Sequence, residues 1–264
     1  MTKKSPLISV IMNARNSEKY LDECLRSLKT QSYKKWELVF FDNCSSDNTQ
    51  KILKKSKIKK LKYYFSKSRL KLYRARNLAI KKASGDYITF LDTDDIWAKD
   101  KLQKQINFLR KNTEFKMIYS NYYIIDKYKK NKKLKFKSPL PSGKITDNLL
   151  KEYVIAILTV MVEKNIILKN KFNEKYEIIG DFDLFLKLSK NYKIGKIQKP
   201  LAFYRQHETN FSKKTKIYKD ELNEWIVNNR EKLAKSGHNL TYLKFYLFKL
   251  KLKNLIKLIF NLGV

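Results

Sequence analysis

Short apolar runs and longer amphipathic segments alternate along the first half of the chain. Four runs have the length and apolar character of buried strands, at residues 8–12, 36–41, 61–65 and 87–91. Three segments between them are predicted as helices, at residues 18–31, 48–56 and 72–83. Strands that alternate with helices of this length predict a parallel sheet with helices on both faces.

The second half has a less regular pattern. Residues 100–111 are predicted as a helix and residues 116–125 as a strand, whereas the lysine-rich residues 127–137 are predicted as an exposed loop. Mixed strand and helix signals follow from 145 to 204, then a helix at 218–234 and a lysine-rich apolar segment at 240–262. We therefore predict two parts: an α/β domain over residues 1–215 and a basic, helical, amphipathic tail over residues 216–264.

The charge is strongly positive. The 264 residues include 59 Lys and Arg against 25 Asp and Glu, which gives a net charge of +34. Such a charge suits a polyanionic neighbour, which could be nucleic acid, an anionic membrane surface or a phosphorylated ligand. The lysines are scattered, so a general drift in residue usage explains the charge equally well.

Cysteine content and hydropathy exclude several classes of protein. Cys24 and Cys44 are too few for a disulfide scaffold or a four-cysteine zinc site. The N-terminal residues lack the pattern of a signal peptide, and the longest apolar stretch, residues 153–162, is about half a membrane span. We expect a protein that is soluble or peripheral to a membrane.

Polar clusters follow three of the predicted strands, at residues 13–16, 42–47 and 92–95. The carboxyl ends of parallel strands meet at one edge of a sheet, so these clusters should form one site. Asp92 and Asp94, one residue apart on a turn, can direct oxygens at one hard cation and leave room for phosphate oxygens. The alternative is that Asp95 caps a helix and its neighbours are only solvated.

Four segments together resemble one family in order and spacing: ISVIMNARN at residues 8–16, DNCSSDNT at 42–49, ARNLAI at 75–80 and GDYITFLDTDD at 85–95. The sequence resembles the family 2 glycosyltransferases, strongly over residues 6–112 and more loosely to Ser212. The resemblance implies the α/β fold called GT-A, a Rossmann-like, mostly parallel sheet flanked by helices. The predicted tail would be a C-terminal helical extension.

The resemblance also assigns residues to the nucleotide sugar. They are Asn13, Ala14, Arg15, Asp42, Lys71, Arg76, Asp92 and Thr93. Asp42 would accept the imide N–H of uracil or thymine, which cytosine lacks, although an Asx turn at the strand end is the alternative. Lys71 stands where the family often has glycine, while Arg69 and Arg74 are better explained as solvated side chains.

Asp181 matches the catalytic base of the family, which deprotonates the acceptor hydroxyl. Relatives commonly carry Glu-Asp at this point, and here the glutamate is replaced by Gly180. The structural alternative is that Asp181 is the N-cap of a helix over residues 182–190, a role compatible with catalysis.

A divalent cation, Mn²⁺ or Mg²⁺, is implied by the same resemblance. Asp94 would hold it, with Asp92 nearby and His207 completing the ligand set, and Arg205 would be a charge partner of His207. A hydrogen-bonded structural histidine is an equally good interpretation of His207.

The implied activity is an inverting, metal-dependent transfer from a nucleoside diphosphate sugar. A UDP-sugar is the expected donor, and the acceptor would be a glycan or lipid-linked molecule in bacterial surface polysaccharide or lipooligosaccharide synthesis. One alternative is a basic nucleic-acid-binding protein without activity, although no specific nucleic-acid motif is present. A nucleotidyltransferase is disfavoured because a glycine-rich phosphate loop after the first strand is absent.

The C-terminal tail bears on location. Lys249, Lys253 and Lys257 fall within one arc of a helix whose remainder is largely apolar, a pattern typical of an interfacial helix on anionic lipid. Lys244 and Lys251 depart from this pattern, because they lie about opposite the other three lysines on the helix. We expect a cytoplasmic enzyme that is peripheral at the inner face of the membrane, and the alternatives are packing on the catalytic domain or on a second copy in a homodimer.

Overall fold

The four strands predicted in the first half form a parallel sheet. In the computed structural model they are β1 (Ile8–Ala14), β2 (Trp36–Asp42), β3 (Leu61–Phe65) and β4 (Tyr87–Phe90), in the order β3-β2-β1-β4. Three helices connect them: α1 (Glu18–Lys29), α2 (Thr49–Lys55) and α3 (Leu72–Lys81). The structure describes residues 5–208, 210 and 214–261, with side chains through residue 252. The predicted α/β alternation is confirmed.

The second half extends this sheet with mixed pairings. The added strands are β5 (Ile96–Trp97), β6 (Phe115–Asp126), β7 (Lys132–Leu134), β8 (Met161–Glu163) and β9 (Lys193–Gln206). β8 is antiparallel to β4 and to β6, and the long strand β9 runs parallel to β6. The accompanying helices are α4 (Lys101–Lys111), α5 (Thr146–Lys151), a 3₁₀ turn (Ile157–Thr159), α6 (Lys164–Asn170) and α7 (Gly180–Asn191).

The predicted loop at residues 127–137 is only partly a loop, so that prediction is corrected. It contains strand β7, which pairs antiparallel with the end of β6 to form a hairpin. The Nζ atom of Lys132 lies 3.8 Å from the centre of the Tyr123 ring on β6. The hydrogen bonds of the ladder and this cation–π contact explain why a lysine-rich segment forms a strand.

Both faces of the sheet are buried, because successive side chains of a strand point to opposite sides. On β1, Val10 faces the cluster that includes Leu21 and Leu25 of α1, and Ile11 faces the cluster that includes Ala75 and Ala79 of α3. The carboxyl ends of the strands therefore remain the free edge at which a site can form.

Two long helices complete the described chain, α8 (Thr215–Lys235) and α9 (Thr241–Asn261). Trp225 of α8 packs edge-on against Phe182 of α7, with ring centres 4.9 Å apart, and Leu243 and Leu247 of α9 are buried. One face of the tail thus packs on protein. The boundary at residues 215/216 stays a prediction, and the side chains of Lys253 and Lys257 lie outside those described.

Among the described residues, every helix is either too short or too polar to cross a bilayer.

Candidate active site

A cavity of about 780 Å³ lies at the carboxyl ends of β1 and β4 and extends towards the first turn of α7. Most of the residues predicted from the sequence for the site line this cavity: Asn13, Arg15, Lys71, Arg76, Asp92, Thr93, Asp94 and Asp181. The fold thus brings together carboxylates and cations that are up to 166 positions apart in the chain, from Arg15 to Asp181.

Asp181 lies in the first turn of α7, and Ile179 is the N-cap of that helix, so the N-cap alternative for Asp181 is wrong. Its Oδ1 atom accepts a hydrogen bond from the backbone N–H of Phe182 at 2.8 Å and lies 3.4 Å from the hydroxyl of Tyr73. That hydroxyl donates to the carbonyl oxygen of Ile178 at 2.6 Å. The carboxylate is therefore held in a fixed orientation at the cavity wall.

Burial raises the pKa of Asp181 to about 6, partly offset by the positive charge of Arg76. A carboxylate with a pKa of about 6 is a stronger base than an ordinary aspartate and is still ionised near neutral pH. The environment of Asp181 is therefore suited to removing a proton from a hydroxyl group.

Arg76 is buried and connects the two acidic sides of the cavity. Its Nη2 atom donates to Asp92 Oδ1 at 2.8 Å, and its guanidinium lies 5.5 Å from the centre of the Tyr73 ring. Because one oxygen of Asp92 is held by Arg76, Asp92 is less available as a metal ligand than its position beside Asp94 suggested.

Asp94 and His207 form a close pair. His207 Nε2 lies 2.8 Å from Asp94 Oδ2, although His207 is not among the residues that line the cavity. Burial and the charge of the neighbouring Asp92 raise the pKa of Asp94, so its ionised form is disfavoured unless a positive charge lies nearby. A carboxylate and an imidazole are suitable ligands for Mn²⁺.

Asp94 and His207 supply two candidate metal ligands. Among the described residues, no group of three or more His, Cys, Asp and Glu side chains is arranged to hold a metal ion. A cation here would take its remaining ligands from water and from the phosphate oxygens of a bound nucleotide. The residues present fit such an arrangement.

Arg205 stabilises the turn that carries Asp94. Its Nε atom donates to the backbone oxygen of Asp94 at 2.8 Å, and Nη2 pairs with Glu23 at 2.5 Å. Glu23 is thus a charge partner of Arg205, and the predicted pairing of Arg205 with His207 stays a prediction. Thr209, Phe211 and Ser212 of the same predicted stretch lie outside the described residues.

Asp42 lies at the end of β2, beside the cavity rather than in its lining. Oδ1 accepts the N–H of Ser45 at 2.9 Å, and Oδ2 accepts the hydroxyl of Tyr63 at 3.0 Å. The bond from Ser45, three residues on, ties the carboxylate to the loop after β2 and differs from the bond to the second residue on that defines an Asx turn. Ala14 is likewise buried outside the lining, with its carbonyl oxygen accepting the N–H of Asn43.

Asn43 fixes the loop before α3. Its side chain donates to the carbonyl oxygen of Leu70 and accepts the N–H of Leu70, both at 2.8 Å. These two hydrogen bonds hold the loop so that Lys71 and Arg69 both line the cavity. The sequence had suggested that Arg69 was only solvated.

Two polar side chains of the cavity lining have a buried atom without a hydrogen-bond partner among the described residues. They are Asn13, through its amide nitrogen, and Tyr153, through its hydroxyl. Such atoms are costly unless a ligand or water satisfies them, which is consistent with a binding cavity. Tyr73 and Tyr153 were not predicted from the sequence, because tyrosine is frequent in this chain and no motif marks these two.

Comparison with known proteins identifies the family. Residues 9–172, more than half of the chain, match the family described as Glycosyl transferase family 2. The chain belongs to this family. A glycosyltransferase from Escherichia coli, UDP-Glc:alpha-D-GlcNAc-diphosphoundecaprenol beta-1,3-glucosyltransferase WfgD, is 35% identical over 231 residues, 84% of this chain and 85% of WfgD.

Other similarities agree with this assignment. An uncharacterized glycosyltransferase of Haemophilus influenzae is 38% identical over 71% of this chain and 74% of its own length. The crystal structure of S. aureus TarS 1-349 with UDP-GlcNAc superposes with a TM-score of 0.65 at 20% identity, covering 83% of this chain and 66% of that one. The family 2 glycosyltransferase therefore has the GT-A fold, as expected.

Proposed function

We propose that this glycosyltransferase inverts the anomeric centre of a UDP-sugar as it transfers the sugar to a glycan or lipid-linked acceptor in bacterial surface polysaccharide synthesis. The observation that carries the proposal is the single cavity that holds both Asp94 and Asp181. WfgD supports the choice of donor and acceptor, because its name specifies UDP-Glc and a diphosphoundecaprenol-linked sugar.

The transfer is one displacement. The acceptor oxygen attacks the anomeric carbon on the face opposite the diphosphate, the bond from that carbon to the diphosphate oxygen breaks, and Asp181 takes the acceptor proton. Nucleoside diphosphate leaves with the bonding electrons. Arg76 and Lys71, which both line the cavity, are positioned to stabilise its negative charge.

A divalent cation fits this proposal. Asp94 and His207 would hold it, with Asp92 nearby, and when bound it would offset the charge of the diphosphate. A mannosyltransferase from Pyrobaculum calidifontis, solved with GDP-Man and Mn²⁺, has a similar fold, with a TM-score of 0.62 at 15% identity over 82% of this chain and 62% of that one.

Recognition of the base is assigned to the loop after β1 and to Asp42. Each Asp42 oxygen accepts one hydrogen bond in the structure and keeps a lone pair for the imide N–H of uracil. The unpartnered amide of Asn13 in the cavity lining is a further donor for the nucleotide. Ala14, the last residue of β1, and Arg15, the first residue after it, complete this part of the site.

The tail supports a location at an anionic membrane surface. Five of the eight large apolar side chains exposed among the described residues lie on α9: Tyr242, Phe245, Tyr246, Phe248 and Leu252. At 100° per residue, Phe245, Phe248 and Leu252 share an arc of about 60°. Lys244 and Lys249 flank this stripe, an arrangement suited to the cytoplasmic interface of a bilayer.

The test is a thermal-shift screen with UDP-sugars, GDP-sugars and CDP-sugars, each with and without Mn²⁺. A ligand that binds only the folded protein raises the melting temperature, and the rise grows with the ratio of its concentration to its Kd. We expect a rise with a UDP-sugar plus Mn²⁺ and its loss in Asp94→Ala. No rise with any UDP-sugar, or an equal rise in Asp94→Ala, would contradict the proposal.

A further inference from the structure

A second cavity, of about 570 Å³, lies between the segment after β7 and helix α5. Four lysines and one carboxylate line it: Lys133, Lys135, Lys137, Lys151 and Glu152. We call this cavity the lysine groove. With four cations against one anion, it presents a positive potential to its contents.

The lysine groove adjoins the catalytic cavity. Val154 lines both cavities. The groove segment is also tied to Tyr122, another residue of the catalytic lining: the N–H of Lys135 donates to the Tyr122 carbonyl oxygen at 3.0 Å, and the rings of Tyr122 and Phe136 lie 6.0 Å apart. The two cavities therefore meet at Val154.

The groove adjoins the side of the catalytic cavity that is formed by Tyr122 and Val154. Asn13, Arg15 and the loop at residues 69–71 form the side assigned to the nucleotide, whereas Tyr122 and Val154 belong to other elements. An acceptor that enters from the side of Tyr122 and Val154 can place its hydroxyl near Asp181 and the rest of its structure in the groove.

The groove also adjoins the tail. The Nζ atom of Lys151, at the end of α5, lies 5.1 Å from the centre of the Tyr242 ring on α9. Tyr242 is exposed and lies about 60° around the helix axis from Phe245, next to the apolar stripe. A lipid chain that leaves the groove would therefore meet an apolar protein surface.

We propose that the lysine groove binds the phosphate groups of a lipid-linked acceptor. This inference rests on the proposed function and adds the acceptor class: a sugar joined to a lipid through a phosphate or diphosphate. Lysine ammonium groups bind phosphate as point charges, without the fixed geometry of arginine. The groove thus distinguishes a phosphate-bearing acceptor from an uncharged glycan.

Calorimetric titration with geranyl diphosphate, a short isoprenyl diphosphate, tests the proposal on the full chain saturated with UDP and Mg²⁺, so that the donor site is filled. Geraniol is the uncharged control ligand. We expect geranyl diphosphate to bind, geraniol not to bind, and Lys135→Gln/Lys151→Gln to weaken binding by about tenfold. Lys54→Gln/Lys55→Gln, two exposed lysines of α2, is the charge-matched control and should leave binding unchanged.

Three results would overturn the proposal. One is no binding of geranyl diphosphate by a protein that binds UDP. Another is equal binding by the wild type and the Lys135/Lys151 variant. The third is a variant that loses binding to phosphatidylglycerol vesicles but keeps geranyl diphosphate, which would assign these lysines to bilayer headgroups. Failure to bind UDP, measured in the same samples, concerns the proposed function instead.

Discussion

A Cβ atom on Gly180 would lie 2.5 Å from the ring of Tyr73. The family resemblance implies glutamate at this position, and here the Tyr73 ring fills the space that such a side chain would need. The Tyr73 hydroxyl also lies 3.4 Å from the carboxylate of Asp181. The glycine and the tyrosine therefore form a matched pair beside the proposed base.

This pairing predicts strong coupling between the two positions. Gly180→Ala should destabilise the protein by about 1–3 kcal/mol, because the methyl group overlaps a buried ring. The same change in a Tyr73→Ala background should cost much less, since the ring is gone. Thermal or urea unfolding of the four proteins in a double-mutant cycle measures the coupling, and additive costs would show that the contact is unimportant.

The raised pKa of Asp181 predicts an acid limit for transfer. Activity requires the ionised carboxylate, so kcat/KM should fall as the pH decreases through about 6. Arg76→Gln removes a positive charge that lowers the pKa of Asp181. The acid limit of the activity that remains in this variant should therefore move to higher pH. A pH profile of transfer between pH 4 and 8 checks this, and an acid limit near the usual value for aspartate, about 4, would be the contrary result.

The raised pKa of Asp181 favours proton removal in catalysis but lowers the stability of the folded protein at neutral pH. A carboxyl group whose pKa is higher in the folded than in the unfolded protein destabilises the folded state once it ionises, so this contribution grows from about pH 4 to pH 6 and is complete above that. Asp181→Asn should therefore stabilise the protein at pH 7, by roughly 2 kcal/mol or less, and have no such effect near pH 4. Urea unfolding at the two pH values measures it, and lower stability of the variant at pH 7 would oppose the assignment.

The exposed stripe on α9 predicts membrane binding that depends on two aromatic residues. Phe245→Ser/Phe248→Ser should reduce sedimentation with phosphatidylglycerol vesicles, because both rings are more than half exposed and available to the bilayer. The matched control is Tyr128→Ser on the β6–β7 hairpin, because Tyr128 is also an exposed aromatic residue. Leu243→Ser is unsuitable as a control because Leu243 is buried. Undiminished sedimentation of the double variant would exclude the stripe as the anchor.

The sequence predicted the first four strands well because each is an apolar run between helices of ordinary length. Motifs at strand ends predicted the site around Asp94, and the family resemblance assigned Asp181 to it. Two features required the structure. The contact of Tyr73 with Gly180 joins residues 107 positions apart, and the hydrogen bond from Tyr63 to Asp42 depends on the pairing of β2 with β3. Local patterns carry no information about such contacts.

The strand β7 shows a different limit. Its lysines predicted an exposed loop, and the segment is indeed exposed, but backbone pairing with β6 does not require apolar side chains. The short strands β5 and β8 have two and three residues, too few for any periodic signal.

The central claim is that Asp181 acts as the base in a cavity that binds the donor independently of it. The decisive measurement compares transfer and donor binding by Asp181→Asn and by Asp183→Asn. Asp183 lies two positions after Asp181 on α7, and its carboxylate accepts a hydrogen bond from Trp225 of α8. We predict that Asp181→Asn keeps UDP-sugar affinity and loses transfer by about 10²–10⁴, whereas Asp183→Asn retains transfer. Equal turnover of Asp181→Asn and the wild-type enzyme would contradict the account.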